Sequence, residues 1–254
     1  QIGRNLAAPQ TLNKQTGAIV YHGSPHKFDK FDSSKIGTGE GAQAYGHGLY
    51  LAESDKVAGE YANMFAKSPA SPAQLLKLRD AAPKGGAEWS HYDDLVKNGQ
   101  GSLYKVDLPD EHIAKMLDWD KPLSQQPQAF KDAVSAREQQ RMMPILEQRR
   151  ATLAGLPQGA ENASILKKQI AILEDEITQP QAVPNMTGGE YFNYLRNREM
   201  APAEQADWLR KAGIPGIRYL DGGSRGTGAG TSNFVVFPGN EGLLKILERN
   251  GGKP

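Results

Sequence analysis

YHGSPHKFDKFDSSKIGTGEGAQAYGHGLYLAESDKVAGEY, residues Tyr21–Tyr61, is the stretch on which the fold reading turns. A short apolar run, Ala18–Tyr21, reads as a buried strand ending at His22-Gly23, after which Ser24-Pro25 turns the chain. From Phe28 to Gly48 there is no periodicity, but Phe28 and Phe31 supply anchors and five glycines follow, Gly37, Gly39, Gly41, Gly46 and Gly48. Such a segment reads as a loop lying over something. Leu49–Ala52 resumes as a strand. Ser54, with Asp55 behind it, opens a helix on which Val57, Tyr61, Met64 and Phe65 share an apolar face.

Outward from this stretch, residues 1–17 are polar and unpatterned and read as a leader or the end of a linker, and the Gln1 start suggests a piece of something longer. Residues 68–101 hold Pro69, Pro72, Pro83 and Gly85-Gly86, a mixed loop and short-helix insertion. Ser102–Leu108 alternates as a strand does. Residues 125–178 are rich in Gln, Glu, Arg and Lys with apolar residues at helical spacing, and break near Gly155–Gly159. Two antiparallel helices account for this, within an insertion at about 121–200. A short helix over Tyr191–Leu195 and another from Pro202 to Gly213 follow. Strands are then expected at 217–220, 233–237 and 243–247, with a glycine-rich connection from Gly222 to Gly230. The fold class is α+β, one domain over 18–254, with strands at both ends of the chain and helices between them.

Composition narrows the partners. The 254 residues carry Lys+Arg 30 against Asp+Glu 29, so no global field draws in nucleic acid or an anionic membrane. Cysteine is absent, which removes disulfides and thiolate zinc sites. No apolar run approaches the roughly 18 residues that span a bilayer. His22 and His26 stand four apart, but Gly23 and Pro25 between them preclude the helix that would make them a metal pair. Gly222–Gly230 lacks the Lys-Ser/Thr of a phosphate loop and lies between strands.

Taken singly, these features have plain structural readings. Gly46-His47-Gly48 could be a hairpin turn, His22 the cap of a strand end, Tyr50 a core-facing strand residue and Tyr61 part of the helix's apolar face. Together they resemble something more specific. His22-Gly23, then Gly46-X-Gly48-X-Tyr50-X-Ala52, then Tyr61 resemble the NAD site of the ADP-ribosyltransferases, in the diphtheria-toxin and poly(ADP-ribose) polymerase branch, whose signature is His, Tyr, Glu. The longer stretch, with LRKAGIPGIRYLDGGSR and NFVVF, is similar to the ADP-ribosyltransferase-like domains of phage and mobile-element polyvalent proteins. The resemblance covers residues 20–65, 102–120 and 205–247, but not the helical hairpin.

The resemblance implies a split β-sheet core and NAD+ as co-substrate without a metal. His22 would hydrogen-bond the adenine-side ribose, Gly23 would hold the nicotinamide amide through its backbone, and Ser24 and Gly48 would belong to the same cofactor-binding set. Tyr50 and Tyr61 would sandwich the nicotinamide, a cationic ring that electron-rich faces hold well. Asn233 takes the place of the family's glutamate, at the head of Asn233-Phe234-Val235-Val236-Phe237. Asparagine keeps a hydrogen bond to the ribose but neither the charge nor a general base.

Three outcomes follow: transfer of one ADP-ribose with Asn233 positioning the ribose, takeover by another carboxylate (Glu40, Glu190, Asp221 or Glu241), or binding without turnover. NAD+ glycohydrolysis is the alternative reaction. The connection before Asn233, with Arg225, Gly226 and Ser232, would face the target. That target is a host macromolecule, expected to be protein, with nucleic acid left open and no membrane, in the bacterial cytoplasm. The hairpin is either an exposed insertion or a docking arm.

Overall fold

Strands β1 (Gly17–Ser24), β2 (Leu49–Ala52), β3 (Ser102–Pro109), β4 (Leu117–Asp118), β5 (Gly216–Leu220), β6 (Ser232–Val236) and β7 (Lys245–Arg249) form one sheet in the order β4-β5-β6-β2-β1-β3-β7. The computed structural model describes residues 17–37, 43–64, 70, 72–99, 101–178, 186–222, 224–225 and 230–253. All neighbouring strands are antiparallel except β4 and β5. Helices are α1 (Asp55–Met64), α2 (Pro72–Ala81), α3 (Ala87–Asn98), α4 (Asp110–Ile113), α5 (Gln128–Ala154), α6 (Ala163–Thr178), α7 (Gly188–Arg198) and α8 (Pro202–Lys211). The class is α+β, as expected.

Local chemistry sets several of these elements. In β3 Ser102, Tyr104, Val106 and Leu108 are buried at every second position, the period of a pleated strand. Thr187 and Glu190 close a reciprocal capping box at the start of α7. Pro202 begins α8, and Gly213, at φ +84°, lets the chain leave it.

The expected helical hairpin is present as α5 and α6. Several elements differ from expectation. β1 does not end at His22-Gly23 but runs on to Ser24, because β3 pairs with it throughout, from Gly17↔Pro109 to Ser24↔Ser102. Residues 72–98 hold two helices, packed on each other. β4 is a strand of two residues, held by parallel pairing to β5. The last strand starts at Lys245, after a short turn of 3-10 helix over Glu241–Leu243.

The sheet is continuous but opens at its centre. β1 and β2 share a single register pair, Tyr21↔Ala52, while β2 pairs along its whole length with β6. The two faces carry two cores. On one, Ile217, Tyr219, Val235 and Phe237 pack with Phe130 and Val134 of α5, Tyr191, Phe192 and Leu195 of α7, and Leu209 of α8. On the other, Val20, Leu49, Leu51, Tyr104, Val106, Phe234 and Val236 pack with Phe31 and Leu244. Helix α1 lies against β1, β2 and β3, whereas α7 lies against β4 and α8 against β5. Strand alternation puts Tyr50, Ala52, Asn233 and Tyr219 on the face that α1 and α7 share. No helix among the described residues is long and apolar enough to cross a membrane.

Candidate active site

His22 stands where the sheet opens. Its Nδ1 is 2.8 Å from the carbonyl oxygen of Tyr50, so the ring bridges the gap that a backbone N–H would close in a full ladder. A carbonyl only accepts, so Nδ1 carries the proton and the neutral ring keeps Nε2 as an acceptor. The imidazole packs edge-on to Phe31 at 5.3 Å, with Phe28 and Tyr104 at 5.9 and 6.2 Å. Burial among these rings lowers its pKa, against a smaller upward push from the Tyr50 carbonyl. By register His22 sits opposite Tyr104, on the other face of the sheet from Tyr50, and reaches the opening from that side.

Gly23 has a packing reason of its own. A Cβ there would lie 2.1 Å from the carbonyl oxygen of Ala58, so α1 rests directly on β1. Ser24 is buried, and its hydroxyl accepts from the His26 amide at 3.1 Å. Gly48 sits so close to β6 that a Cβ would be 2.5 Å from the Val236 oxygen, and Gly46 adopts φ +116° beside the Phe192 ring.

Tyr50 combines a ring on the sheet face with a hydroxyl that ties down the chain before it. The hydroxyl donates to Gly46 O at 2.8 Å and accepts from the Tyr45 amide at 3.2 Å. Burial pushes the Tyr50 phenol well above its ordinary pKa, and the Tyr45 and Tyr61 phenols push the same way. Tyr219 is raised in the same manner, by burial first and then by Tyr50, Tyr45 and Tyr61. Four tyrosines therefore share one electrostatic neighbourhood. Tyr61 is its open wall: it is 52% exposed, and no ring stacks on it among the described residues. It does not belong to an apolar packing face, because α1 meets the sheet through Ala58 and Ala62 instead.

Asn233 pairs with Ala52 on one side and Tyr219 on the other. Its side-chain Oδ1 is buried and accepts no hydrogen bond among the described residues. Buried polar atoms are rarely left so, and this one lies on the same face as Tyr50.

The remaining predicted residues divide. Glu40 and Gly226 lie outside the described residues. Ser232 is fully buried, with its hydroxyl accepting from Arg218 Nε at 3.1 Å and its amide donating to the Glu53 carboxylate at 2.8 Å. Arg225 lies 5.1 Å over the Tyr45 ring and 3.4 Å from Asp120.

Each alternative carboxylate within the described residues has a structural engagement. Glu190 closes the α7 capping box. Asp221 holds Ser224 N at 2.8 Å and the Thr231 hydroxyl, across the base of the β5–β6 connection. Glu241 is held below the usual carboxylate range: burial opposes this, but hydrogen bonds, that of Ser33 foremost, outweigh it. Among the described residues no group of three or more His, Asp or Glu side chains converges as a cation site.

Sequence reasoning missed Tyr45, Tyr219, Trp119 and Glu53. Tyr45 stacks on Tyr219 at 3.8 Å and 10° and meets Trp119 edge-on at 4.9 Å. The one local signal was Tyr219 falling two residues after Ile217 in a strand, which puts both on one face. Comparison with protein-family models, with curated proteins and with solved structures gives no match to this chain.

Proposed function

We propose that the protein transfers a single ADP-ribose from NAD+ to a macromolecular acceptor and releases nicotinamide, on an ADP-ribosyltransferase-like split sheet. The observation that carries this reading is Asn233 Oδ1, a buried acceptor without a donor among the described residues, on the same sheet face as Tyr50 and beside an opening bridged by His22. A ribose hydroxyl is a donor of the kind that acceptor lacks. The half-exposed Tyr61 ring and the Tyr50 ring offer electron-rich faces to a pyridinium. The neutral His22 Nε2 suits a second ribose hydroxyl. With those groups bound, the bond from C1′ to nicotinamide breaks with its electrons leaving on nicotinamide. The acceptor's nucleophile then bonds to C1′ and gives up its proton.

Asn233 contributes a dipole but no charge, so the nucleophile must come from a reactive acceptor, most simply a protein side chain of a bacterial host, with the protein itself delivered by a phage or mobile element. Incubation with labelled NAD+ and bacterial lysate tests this. Label on a macromolecule, abolished in Tyr61→Ala, is the expected result, with faster NAD+ hydrolysis in Asn233→Glu. Free ADP-ribose alone would make the protein a glycohydrolase. NAD+ binding with neither product would make it a binding module, and no NAD+ binding would overturn the reading.

A further inference from the structure

Residues Ala44 to Gly46 are fixed one by one against the α7 half of the molecule. Arg196 donates to Ala44 O at 3.1 Å, and Tyr50 takes the Tyr45 amide and the Gly46 carbonyl. The Tyr45 ring lies flat on Tyr219, with Trp119 at its edge. The outer face of Tyr45 is covered by a residue from a different segment, the Arg225 guanidinium at 5.1 Å. Arg225 belongs to the connection between β5 and β6. Its position is set by Asp120, whose Oδ1 is 3.4 Å from Arg225 Nε and whose Oδ2 accepts from the Leu220 amide at 2.7 Å. Its charge is felt at Tyr219, where it partly offsets the effect of burial on the phenol.

This arrangement gives Arg225 a task other than meeting a target. A guanidinium over an aromatic face attracts it, and a parallel partner beneath the ring completes a three-layer stack, Arg225 on Tyr45 on Tyr219. The bottom layer is the register neighbour of Asn233, and the middle layer is joined through its amide to the Tyr50 hydroxyl. We infer that Arg225 is a positioning residue for the dinucleotide side of the site: it presses Tyr45 onto Tyr219, and so couples the β5–β6 connection to the segment that Tyr50 anchors. The inference rests on the reading proposed above for what Tyr50, Tyr61 and Asn233 hold. Because coupling between two bound partners is reciprocal, whatever engages the β5–β6 connection and draws Arg225 away weakens NAD+ binding by the factor by which NAD+ weakens that engagement.

Two measurements on the whole chain test this, using Arg225→Ala, Arg225→Lys and Tyr45→Ala. Hydrogen exchange of the amides of residues 43–49 without ligand reads the stack directly. Titration calorimetry with NAD+ reads its consequence. Arg225→Ala is expected to speed that exchange and weaken NAD+ binding by about 2- to 5-fold each, the range of a partly exposed cation–π contact. Arg225→Lys, which keeps a cation over the ring, should restore both to within about twofold. Arg225→Ala in a Tyr45→Ala background should add little, since the partner is already gone. Unchanged exchange in Arg225→Ala overturns the inference, as does faster exchange with unchanged NAD+ affinity. If the wild-type protein binds no NAD+, the functional reading falls by itself, and the exchange rates alone decide whether Arg225 holds Tyr45.

Discussion

His22 has two tasks that pull its chemistry in the same direction. The bond to the Tyr50 carbonyl needs a proton on Nδ1, and the surrounding Phe28, Phe31 and Tyr104 rings disfavour a second proton on Nε2. The folded imidazole therefore titrates below its ordinary value of 6.5. In the unfolded chain the ring regains that ordinary value and takes up a proton first as the pH falls. Stability from this residue is complete above pH 6.5 and declines below it, until the folded ring protonates as well. The carboxyls of Asp93 and Asp207, held below their usual range by Lys97 and Lys211 respectively, act at lower pH and leave this window clear. Urea midpoints measured from pH 7.5 down to about 5.5 should fall in the wild type and fall less in His22→Asn, which can still donate to Tyr50 but does not titrate. Equal slopes in the two proteins would mean that the ring is not sequestered as described.

Helix α1 gives Gly23 a packing role of its own, whatever its backbone binds. It lies on the sheet through Ala58 and Ala62, and a glycine in β1 and another just before β3 make room for it: a Cβ at Gly23 would sit 2.1 Å from Ala58 O, and one at Gly101 would sit 1.8 Å from Ala62 O. Gly59, on the same helix, has nothing within 4 Å of its would-be Cβ. Gly23→Ala should therefore cost about 1–3 kcal/mol by overpacking and displace Tyr61, weakening NAD+ binding with it. Gly59→Ala should stabilise by about 0.5–1 kcal/mol through helix propensity alone. Denaturant midpoints for the pair check this, and equal stability of Gly23→Ala and wild type would refute the close approach.

The same helix marks what the sequence makes legible. The bounds of β2 and the existence of α1, α5 and α6 follow from local pattern and capping, which act within a turn or two. The seating of α1 does not: the larger apolar residues suggest a face through Val57 and Tyr61, whereas close approach selects the alanines. Register is equally hidden. Nothing local to Asn233 tells that it will pair with Ala52 and Tyr219, and β4 exists only because β5, a hundred residues later, pairs with it. Tyr50, Tyr61 and Asn233 can be named as candidates from the sequence; Tyr45, Tyr219 and the opening of the sheet required the fold.

At the scale of the molecule, the α5–α6 hairpin is attached at its base and free of the cores beyond it. Phe130 and Val134 belong to the core, and Arg137 pairs with Glu199 and lies 5.8 Å over the Trp208 ring. Beyond Arg137, Leu146 and Ile170 are the buried residues among those described in the two helices. The helices hold each other through Arg150 and Glu174 at 2.6 Å and through Arg149 and Gln169. The chain passes Pro144 inside α5 without breaking, on an exposed stretch where water can satisfy the freed carbonyl. Near the base the two helices come together, with the Gln139 side-chain amide 3.2 Å from Ile177 O. A short Gly-Ser linker from Gln139 to Ile177 can therefore replace the outer hairpin while leaving Phe130, Val134 and Arg137 in place. The shortened protein should unfold cooperatively and bind NAD+ within about twofold of the full chain, since additivity holds for sites that share no contacts. Calorimetry on the two proteins measures both quantities. Loss of cooperative unfolding would show instead that the outer helices brace the core on which Tyr50 and Tyr219 stand.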